Sequence, residues 1–376
     1  VITGAYNFTK AGSGSLTLGG ANTYSGTTLI NDGTLAIRND SALAGSTQTL
    51  VSAGTLLLDG GAPVVRRLAG GGNVALTNGA TAVLSNASFG SVYSGVISGN
   101  GALTKAGNST LTLSGNSTYS GDTTVNAGTL TVSGQLLGST NLIVNGGGNF
   151  IWNNPSAMTN TVQVSVFGAT LNGLYFQTDG AIGGLSGNGG VIMAGHTLEL
   201  GSGNGDSTYG GTFGGGTLTL VGTGTVTLNH AGSVGSLDYL NVTNGMLVVR
   251  DGAQLAVTAA GGLSTVTVSN TGTLVVNATG QLTASNLTVR SGGAVQQLTT
   301  AGAVTLANLQ VGSGGSYSLN GGTLTITTSA AISNGADFTV AGAAALKVNG
   351  TAHLEQNLIN AGTLGGNGTI VVAGGR

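Results

Sequence analysis

Apolar and polar residues alternate in short runs along the whole chain. Runs such as Leu16-Thr17-Leu18, Leu111-Thr112-Leu113 and Leu324-Thr325-Ile326 are each bounded by Gly, Asn, Ser or Asp. Alternation of this kind between turn-forming residues is typical of short β-strands joined by tight turns. A helix is disfavoured, because Val, Ile and Thr favour strands and a helical Gly costs about 1 kcal/mol. The pattern predicts an all-β fold.

The spacing of the apolar positions favours a solenoid over a β-sandwich. Near the start of the chain they recur at successive steps of 19, 21 and 20, and near its end at a constant step of 22. The first series is Leu16, Leu35, Leu56 and Leu76, and the second is Leu282, Val304, Ile326, Val348 and Ile370. A stack of coils needs an inward side chain at the same place in every coil, whereas a sandwich does not.

The sequence therefore predicts one continuous parallel β-helix over residues 1–376, with roughly 19–22 residues per coil. At about 4.8 Å per coil, roughly 18 coils would form a rod on the order of 85 Å long. Glycine and asparagine are expected at the corners, because both adopt positive φ more readily than other residues.

Composition excludes several classes of protein. Glycine supplies 72 residues and proline only 2, which argues against collagen and against proline-rich disorder. Hydrophobic residues make up 40% and charged residues 5%, the opposite of the balance in disordered chains. There is no cysteine, so neither disulfides nor thiolate metal ligands are available.

Charge and hydropathy exclude two kinds of partner. The net charge is -2, and only nine Lys and Arg residues are spread over the chain, too few to neutralise a run of phosphates. No apolar run approaches the roughly 20 residues that span a bilayer. We expect no nucleic acid partner and no membrane insertion of this segment.

The chain contains two near copies of one sequence. Residues 8–37 and 103–132 are identical at 17 of 30 aligned positions, and they place two of the three lysines at the same point. The repeat positions singled out are Lys10, Tyr24, Gly26 and Gly33 in the first copy and Lys105, Tyr119, Gly121 and Gly128 in the second. Residues 185–211 form a degenerate copy without the lysine, and residues 230–376 keep only a general periodicity with a step of 22.

This repeat resembles the passenger-associated transport repeat, also called the autotransporter-associated β-strand repeat, of bacterial autotransporter passengers and related surface proteins. Both strong copies match the pattern L-T-K-x-G-x-x-x-L-T-L-x-G-x-x-T-Y-x-G-x-T nearly throughout. The resemblance implies a right-handed β-helix at or outside the cell surface, in which the repeat is associated with secretion and folding of the passenger. It implies no catalytic residues.

The repeat residues are interpreted as structural. We expect the rings of Tyr24 and Tyr119 to lie beside the glycines two positions on, Gly26 and Gly121. We expect the lysines to occupy a corner where the ammonium reaches solvent while the aliphatic stem covers apolar surface.

The charged residues form no recognisable catalytic pattern. Glycoside hydrolysis needs two carboxylates roughly 5 to 10 Å apart, whereas eleven acidic residues are scattered over the whole chain. Asp59, Arg66 and Arg67 form the densest charged group, and the neighbouring Pro63 favours a solvated loop. An enzyme acting on polysaccharide stays an alternative that a cluster of acidic and basic residues on one face would favour.

Metal sites are also poorly supported. His353 and Glu355 would share a strand face, but no third ligand is evident. Residues 201–206, Gly-Ser-Gly-Asn-Gly-Asp, match the calcium-binding nonapeptide G-G-x-G-x-D only in part and are not repeated in tandem. We expect no metal, no cofactor and no enzymatic activity.

Aromatic residues concentrate between Asn149 and Gln177, where the only tryptophan lies. Two interpretations are open. The rings of Trp152, Tyr175 and Phe176 could fill the wide interior of a coil, or they could form a patch that stacks on sugar rings or anchors a partner.

The sequence as a whole predicts a non-enzymatic structural or adhesive β-helix of a bacterial surface or fibre protein, with a carbohydrate-binding adhesin as the alternative. Residues 1–10 align with residues 96–105, so the chain starts inside a repeat, which suggests a fragment or a processed chain. The expected partners are another copy stacked head to tail into a filament, other cell-surface components, or polysaccharide. The expected location is extracellular or at the cell surface.

Overall fold

The computed structural model describes residues 1–168, 173–259, 264–298, 301–355, 359–360 and 362–372. Parts of the predicted 230–376 stretch, at residues 260–263, 299–300, 356–358, 361 and 373–376, lie outside this range. Internal contacts divide the chain into two compact units, Val1–Ala181 and Ile182–Arg376, and each unit is described by itself.

The described part of the first unit consists of short strands and turns, since alternating residues and glycine corners dominate its sequence. Its strands are β1 (Phe8–Lys10), β2 (Ser15–Leu18), β3 (Thr27–Ile30), β4 (Thr34–Ile37), β5 (Gln48–Val51), β6 (Thr55–Asp59), β7 (Val64–Arg66), β8 (Leu68–Gly70), β9 (Asn73–Thr77), β10 (Thr81–Ser85), β11 (Ser91–Tyr93), β12 (Ile97–Gly99), β13 (Ala102–Ala106), β14 (Thr110–Leu113), β15 (Asn116–Ser117), β16 (Thr123–Val132), β17 (Gln135–Leu136), β18 (Asn141–Trp152), β19 (Gln163–Val166) and β20 (Gly173–Phe176), followed by β21 (Gly180–Ile182) at the boundary.

The described part of the second unit is built in the same way. Its strands are β22 (Gly184–Gly187), β23 (Gly190–Ile192), β24 (Thr197–Leu200), β25 (Ser207–Tyr209), β26 (Thr212–Gly214), β27 (Thr217–Leu220), β28 (Thr225–Leu228), β29 (Gly232–Leu237), β30 (Tyr239–Val242), β31 (Met246–Val249), β32 (Ala253–Val257), β33 (Thr265–Val268), β34 (Thr273–Val276), β35 (Gln281–Val289), β36 (Ala294–Gln297), β37 (Ala303–Val311), β38 (Ser316–Leu319), β39 (Gly322–Ile332), β40 (Asp337–Val340), β41 (Ala344–Val348), β42 (Thr351–Leu354), β43 (Ile359–Asn360), β44 (Thr363–Gly365) and β45 (Thr369–Val372).

Strands pair in parallel with strands one coil away, which confirms the predicted all-β parallel solenoid. In the first unit Phe8 pairs with Thr28, and in the second unit Thr197 pairs with Thr217, so the step from coil to coil is 20 in both pairs. No helix occurs among the described residues, which contain about 16 turns of the solenoid. No described segment forms a long apolar helix that could cross a bilayer.

Coil length varies more widely than the sequence predicts. The step shrinks to 18 between Thr351 and Thr369, and it grows to 27 between Met246 and Thr273. Longer coils use more residues per turn, which is one reason why the turns number about 16 and not the predicted 18 or so.

The predicted apolar ladder of the first unit is partly confirmed. Leu16 pairs with Leu35 and Leu35 pairs with Leu56, as the spacing predicts. Leu56 then pairs with Val74, whereas Leu76 pairs with Leu58.

The predicted ladder of the second unit shows the same kind of shift. Leu282 pairs with Val304 and Ile326 pairs with Val348, but Val304 pairs with Leu324 and Leu306 pairs with Ile326. Ile370 belongs to another ladder, opposite Ala352. A shift of two residues keeps every side chain on the same face of a strand, so the apolar pattern does not reveal it.

The core of each unit lies inside its coils. Inward residues of successive strands, such as Leu35, Ile37, Leu56 and Leu58 in β4 and β6, are fully buried. Each buried leucine or isoleucine stabilises the fold by about 1.5–3 kcal/mol relative to an exposed one. The outward positions are mixed, since Leu57 of β6 is apolar whereas β14 and β27 place threonine outward. Because the interior is apolar, a functional group must lie on the outer face or at a corner.

Candidate functional site

The two repeat lysines lie in equivalent buried corners of the first unit. Lys10, the last residue of β1, is 5% exposed, and Lys105 in β13 is fully buried. The Nζ of Lys10 donates hydrogen bonds to the carbonyl oxygens of Ala11 at 3.1 Å, Gly12 at 2.5 Å and Asp32 at 3.1 Å. The first two acceptors belong to the lysine's own turn, and the third lies one coil further on.

The second copy repeats this geometry. The Nζ of Lys105 donates to the carbonyl oxygens of Ala106 at 2.9 Å, Gly107 at 2.6 Å and Ala127 at 3.1 Å. In both copies the third acceptor belongs to the next coil, at the same distance along the chain from the lysine, so the ammonium connects two successive coils. We use the name lysine corner for each such arrangement. It comprises the lysine, its three carbonyl acceptors and the glycine directly after the third acceptor.

The expectation that the lysine ammonium reaches solvent is wrong. Three carbonyl oxygens replace water around Nζ, since each turn directs its carbonyl groups inward at this corner. Burial lowers the pKa of Lys105 from 10.5 to about 8.

Gly33 and Gly128 complete the lysine corners. Their φ angles are +64° and +63°, in the left-handed region that glycine adopts without a steric penalty. A Cβ at Gly33 would overlap the carbonyl oxygens of Gly12 and Gly14, and one at Gly128 would lie 2.5 Å from the oxygen of Gly107. Any side chain here would push the two coils apart.

Each repeat tyrosine lies in a buried chain of hydrogen-bonded hydroxyl groups. We call the tyrosine, the threonine four residues after it and a serine of the next coil a tyrosine corner. The Tyr24 hydroxyl lies 2.5 Å from Thr28 Oγ1, which donates to Ser46 Oγ at 2.9 Å. The Ser46 hydroxyl in turn donates to the carbonyl oxygen of Gln48 at 2.8 Å. All three side chains are buried, so each hydroxyl needs a partner within the protein.

The second tyrosine corner has the same three hydroxyl groups. The Tyr119 hydroxyl lies 2.7 Å from Thr123 Oγ1, which lies 2.9 Å from Ser139 Oγ. Ser139 donates to the carbonyl oxygen of Asn141 at 3.2 Å. Burial raises the pKa of Tyr119, although the hydrogen bond to Thr123 lowers it in part. Hydroxyl groups of two coils are thus connected directly.

Sequence reasoning missed the serines, because they lie beyond the two aligned windows. The available signal is Gly-Ser-Thr, which occurs at residues 45–47 and again at residues 138–140. A Cβ at Gly45 would lie 2.7 Å from the carbonyl oxygen of Tyr24, and one at Gly138 would lie 2.5 Å from that of Tyr119. The structural repeat therefore extends past the sequence windows into the next coil.

Gly26 and Gly121 have a different role from the one expected. The atoms nearest to a Cβ at Gly26 belong to the backbone of Tyr6 and Asn7, and those nearest at Gly121 belong to Gly101 and Ala102. The backbone of the preceding coil, and not the tyrosine ring, excludes a side chain at both positions.

Tyr209 in the degenerate copy forms a different contact. Its hydroxyl donates to the carbonyl oxygens of Gly189 at 2.6 Å and Thr212 at 3.1 Å. The residue four positions on is Phe213, so no hydroxyl chain can form. A Cβ at Gly211 would lie 2.5 Å from the Tyr209 ring, so the expected contact between ring and glycine occurs here.

The aromatic segment fills the interior of a coil. Trp152 is fully buried, Phe176 is 1% exposed, and their ring centroids lie 5.4 Å apart. Tyr175 precedes Phe176 in the sequence, lies on the opposite face of β20 and is half-buried. A surface patch formed by these three rings is therefore excluded, because alternation along the strand sends two of them into the core.

Two of the charged candidates, Asp59 and Glu355, are engaged in structural contacts. Asp59 forms an ion pair with Arg38 at 2.7 Å and accepts hydrogen bonds from Thr77 and Asn78, and these contacts lower its pKa. Glu355 accepts a hydrogen bond from the backbone N–H of Asn334 at 3.1 Å.

The calcium-like segment has a similar role. Asn204 and Asp206 accept hydrogen bonds from the backbone N–H groups of Thr223 at 3.0 Å and Thr225 at 2.7 Å in the next coil. In the part of the chain that the structure describes, no three His, Asp or Glu side chains are grouped so that they could hold a metal ion.

Comparison with known proteins agrees with the repeat geometry. The family model of the passenger-associated transport repeat matches residues 8–37 and 103–132. The chain is 34% identical over 247 residues to the adhesin BmaC autotransporter of Brucella suis biovar 1 (strain 1330). That match covers 61% of this chain and 7% of the relative, so the chain spans a small part of the relative's length. No solved structure matches the chain.

The matched residues include the lysine and the tyrosine of each corner, whereas the serines of the tyrosine corners lie beyond them. Lys10 and Lys105, Tyr24 and Tyr119 occupy the same places in contacts that differ by at most a few tenths of an ångström. Residues 8–37 and 103–132 are therefore two copies of the passenger-associated transport repeat.

Proposed function

We propose that this chain is a segment of the secreted passenger of an autotransporter adhesin, where it acts as a non-enzymatic, extracellular structural and adhesive β-solenoid. The observation that carries the proposal is the pair of transport repeats, matched in sequence and folded around the same corners. The similarity to an autotransporter adhesin supports the same conclusion.

The physical properties of the fold suit a protein outside the cell. Parallel ladders satisfy the backbone hydrogen bonds of each coil through its neighbours, and the sequence, which has no cysteine, uses no disulfide to join the coils. Many outward positions, as in β14, β27 and β33, carry threonine, which favours strands and adds a hydroxyl group to the surface.

The repeat copies are assigned a role in folding during secretion. Each lysine corner connects two coils through one ammonium, and each tyrosine corner connects two coils through hydroxyl groups. A chain that emerges from a membrane must stack its coils in order, and strong local contacts between adjacent coils favour such stepwise growth. The repeats would thus serve as points where a new coil is fixed onto the last.

Adhesion is tested with beads that carry the purified chain. Coated beads are expected to bind epithelial cell monolayers several-fold more than beads that carry an unrelated β-solenoid, and free chain should compete with them. Equal attachment of both kinds of bead would contradict the adhesive part of the proposal.

Self-association is a separate proposal. Coils of different copies could stack by the same parallel hydrogen bonding that joins coils within a unit, which would produce head-to-tail filaments. Sedimentation velocity over a hundredfold range of concentration tests this, because a filament former shifts to larger species as concentration rises and a monomer does not.

A further inference from the structure

Two open clefts flank Arg67 at a corner of the first unit. Arg67 lies between β7 and β8, and it lines one cleft of about 410 Å³ and another of about 270 Å³. The larger cleft falls within the roughly 300–1,000 Å³ that small-ligand sites occupy. Neither the repeat nor the corners described above include this position.

The backbone of Arg67 is unusual for its residue type. Its φ is +45°, in the left-handed region. Asn and Asp occupy most of the other non-glycine positions with positive φ in the described chain, at Asn78, Asn204, Asp251 and Asn270. Their short polar side chains ease this conformation, whereas an arginine gains nothing from it locally. A strained residue beside a cleft points to a use for its side chain.

The guanidinium group of Arg67 is held in place but is not neutralised. Its central carbon lies 5.4 Å from the ring centroid of Phe89, a cation–π contact. Its Nε is buried and has no hydrogen-bond partner among the described residues. The contact is open to solvent on the Phe89 side, because Phe89 is 67% exposed.

The walls of the clefts are cationic and rich in hydroxyl and amide groups. Arg66, which is exposed, shares the smaller cleft with Arg67. Polar side chains line both clefts, with Gln48, Ser91, Thr110 and Thr112 in the larger one and Thr47 and Ser88 in the smaller one. Among the described residues that line either cleft there is no carboxylate. A ligand that complements the positive charge of this surface is therefore an anion.

We propose that the Arg67 clefts bind an acidic saccharide. A uronate carboxylate would pair with the guanidinium groups of Arg67 and Arg66, and sugar hydroxyls would bond to the threonine, serine and glutamine side chains. The apolar face of a sugar ring would contact Phe89 and Val92, which is 57% exposed. This inference rests on the proposed function, since it supplies the adhesive solenoid with a ligand class.

An acidic peptide fits the site less well. Extended peptides gain affinity by adding a strand to a free sheet edge. Here β8 is already bonded to β5 and β11, and β10 to β7 and β13, so the strands of the corner offer no free edge. A peptide would keep only its side-chain carboxylates as contacts.

The test is isothermal titration calorimetry of the full chain with tri-galacturonate. The methyl ester of the same saccharide is the uncharged control ligand. Arg67→Gly removes the guanidinium group and suits the positive φ at this position, so this variant is expected to fold. Arg38→Gln is the matched control, because Arg38 is an arginine of the same unit that is paired with Asp59. Circular dichroism spectra of both variants check that the β-fold is retained.

Binding of tri-galacturonate at about millimolar Kd, with a loss of about tenfold or more for the ester and for Arg67→Gly, is the expected result. Arg38→Gln should bind as the unaltered chain does. The proposal is overturned if no heat is detected at saccharide concentrations well above that Kd, if Arg67→Gly binds equally well, or if penta-glutamate binds as tightly as the saccharide. Because this titration uses no cells, its failure leaves the bead assay of adhesion unaffected.

Discussion

Replacing Lys105 by methionine tests whether the lysine corner stabilises the stack of coils. Methionine keeps most of the aliphatic stem and removes the three hydrogen bonds from Nζ to Ala106, Gly107 and Ala127. The matched control is Lys347→Met, since Lys347 lies on the exposed outer face of β41 and is the third lysine of the chain.

The expected cost follows from two opposing contributions. Hydrogen bonds from a charged donor are worth about 1.5–3 kcal/mol each, so three contribute on the order of 5–9 kcal/mol. Burial of the ammonium opposes this by about 3 kcal/mol, the equivalent of a pKa lowered from 10.5 to about 8. The difference predicts that Lys105→Met lowers local stability by about 2–6 kcal/mol, whereas Lys347→Met changes it by less than about 0.5 kcal/mol.

Hydrogen exchange followed by mass spectrometry is the suitable assay, because a solenoid opens locally before it unfolds as a whole. A loss of about 3 kcal/mol corresponds to roughly hundredfold faster exchange of the slowest amides in residues 103–132. Peptides of the second unit should exchange at the unaltered rate. Equal exchange in the Lys105→Met and Lys347→Met variants would show that the lysine corner does not stabilise the coils. Slower exchange in Lys105→Met would show that desolvation outweighs the hydrogen bonds.

Three further predictions concern the same corners. Between about pH 8 and 9.5 the unfolded chain binds more protons at Lys105 than the folded chain does, so stability in urea should rise with pH there, and Lys105→Met should remove that rise. Gly128→Ala should cost about 2–4 kcal/mol in thermal unfolding, because it combines positive φ with a clash, whereas Gly14→Ala, in open space without positive φ, should be nearly neutral. Thr123→Val should cost about 1–3 kcal/mol in urea unfolding by leaving the Tyr119 hydroxyl unpaired, and adding Tyr119→Phe should recover part of the loss; full additivity of the two changes would contradict the hydroxyl chain.

The fold was accessible from the sequence because a solenoid repeats one requirement in every coil. Strand type, parallel stacking and the apolar interior all follow from alternation and spacing. The register did not follow, as Val304 shows by pairing with Leu324 and not with Ile326. Period-two alternation looks the same after a shift of two residues, so only contacts between coils can resolve it.

The corners were located but not understood from sequence. Lys10 and Lys105 stood out by repetition, but the usual preference of lysine for solvent predicted the wrong environment. The three carbonyl oxygens that surround each ammonium come from backbone turns. Residue types alone do not reveal the direction in which the backbone carbonyl groups of a turn point. Ser46 and Ser139 were missed because they join the repeat only when the next coil closes over it.

The Arg67 clefts show a further limit. The sequence draws attention to Arg66 and Arg67 as charged residues but favours a solvated loop around them, whereas the structure places Arg66 in β7 and buries Pro63. What distinguishes Arg67 is its φ angle, its contact with Phe89 and its unpaired Nε, and none of these can be read from residue types alone.

The role of the lysine corners in secretion is tested most directly by displaying the chain on the cell surface as the passenger of an autotransporter, with both corner lysines replaced. Cells carrying the Lys10→Met and Lys105→Met double variant are compared by flow cytometry, before and after protease treatment, with cells carrying Lys347→Met. If the lysine corners fix successive coils during secretion, the double variant should lose most of its protease-resistant surface signal while Lys347→Met keeps it. Equal, protease-resistant display of both variants would contradict the claim that the repeats fix successive coils during secretion.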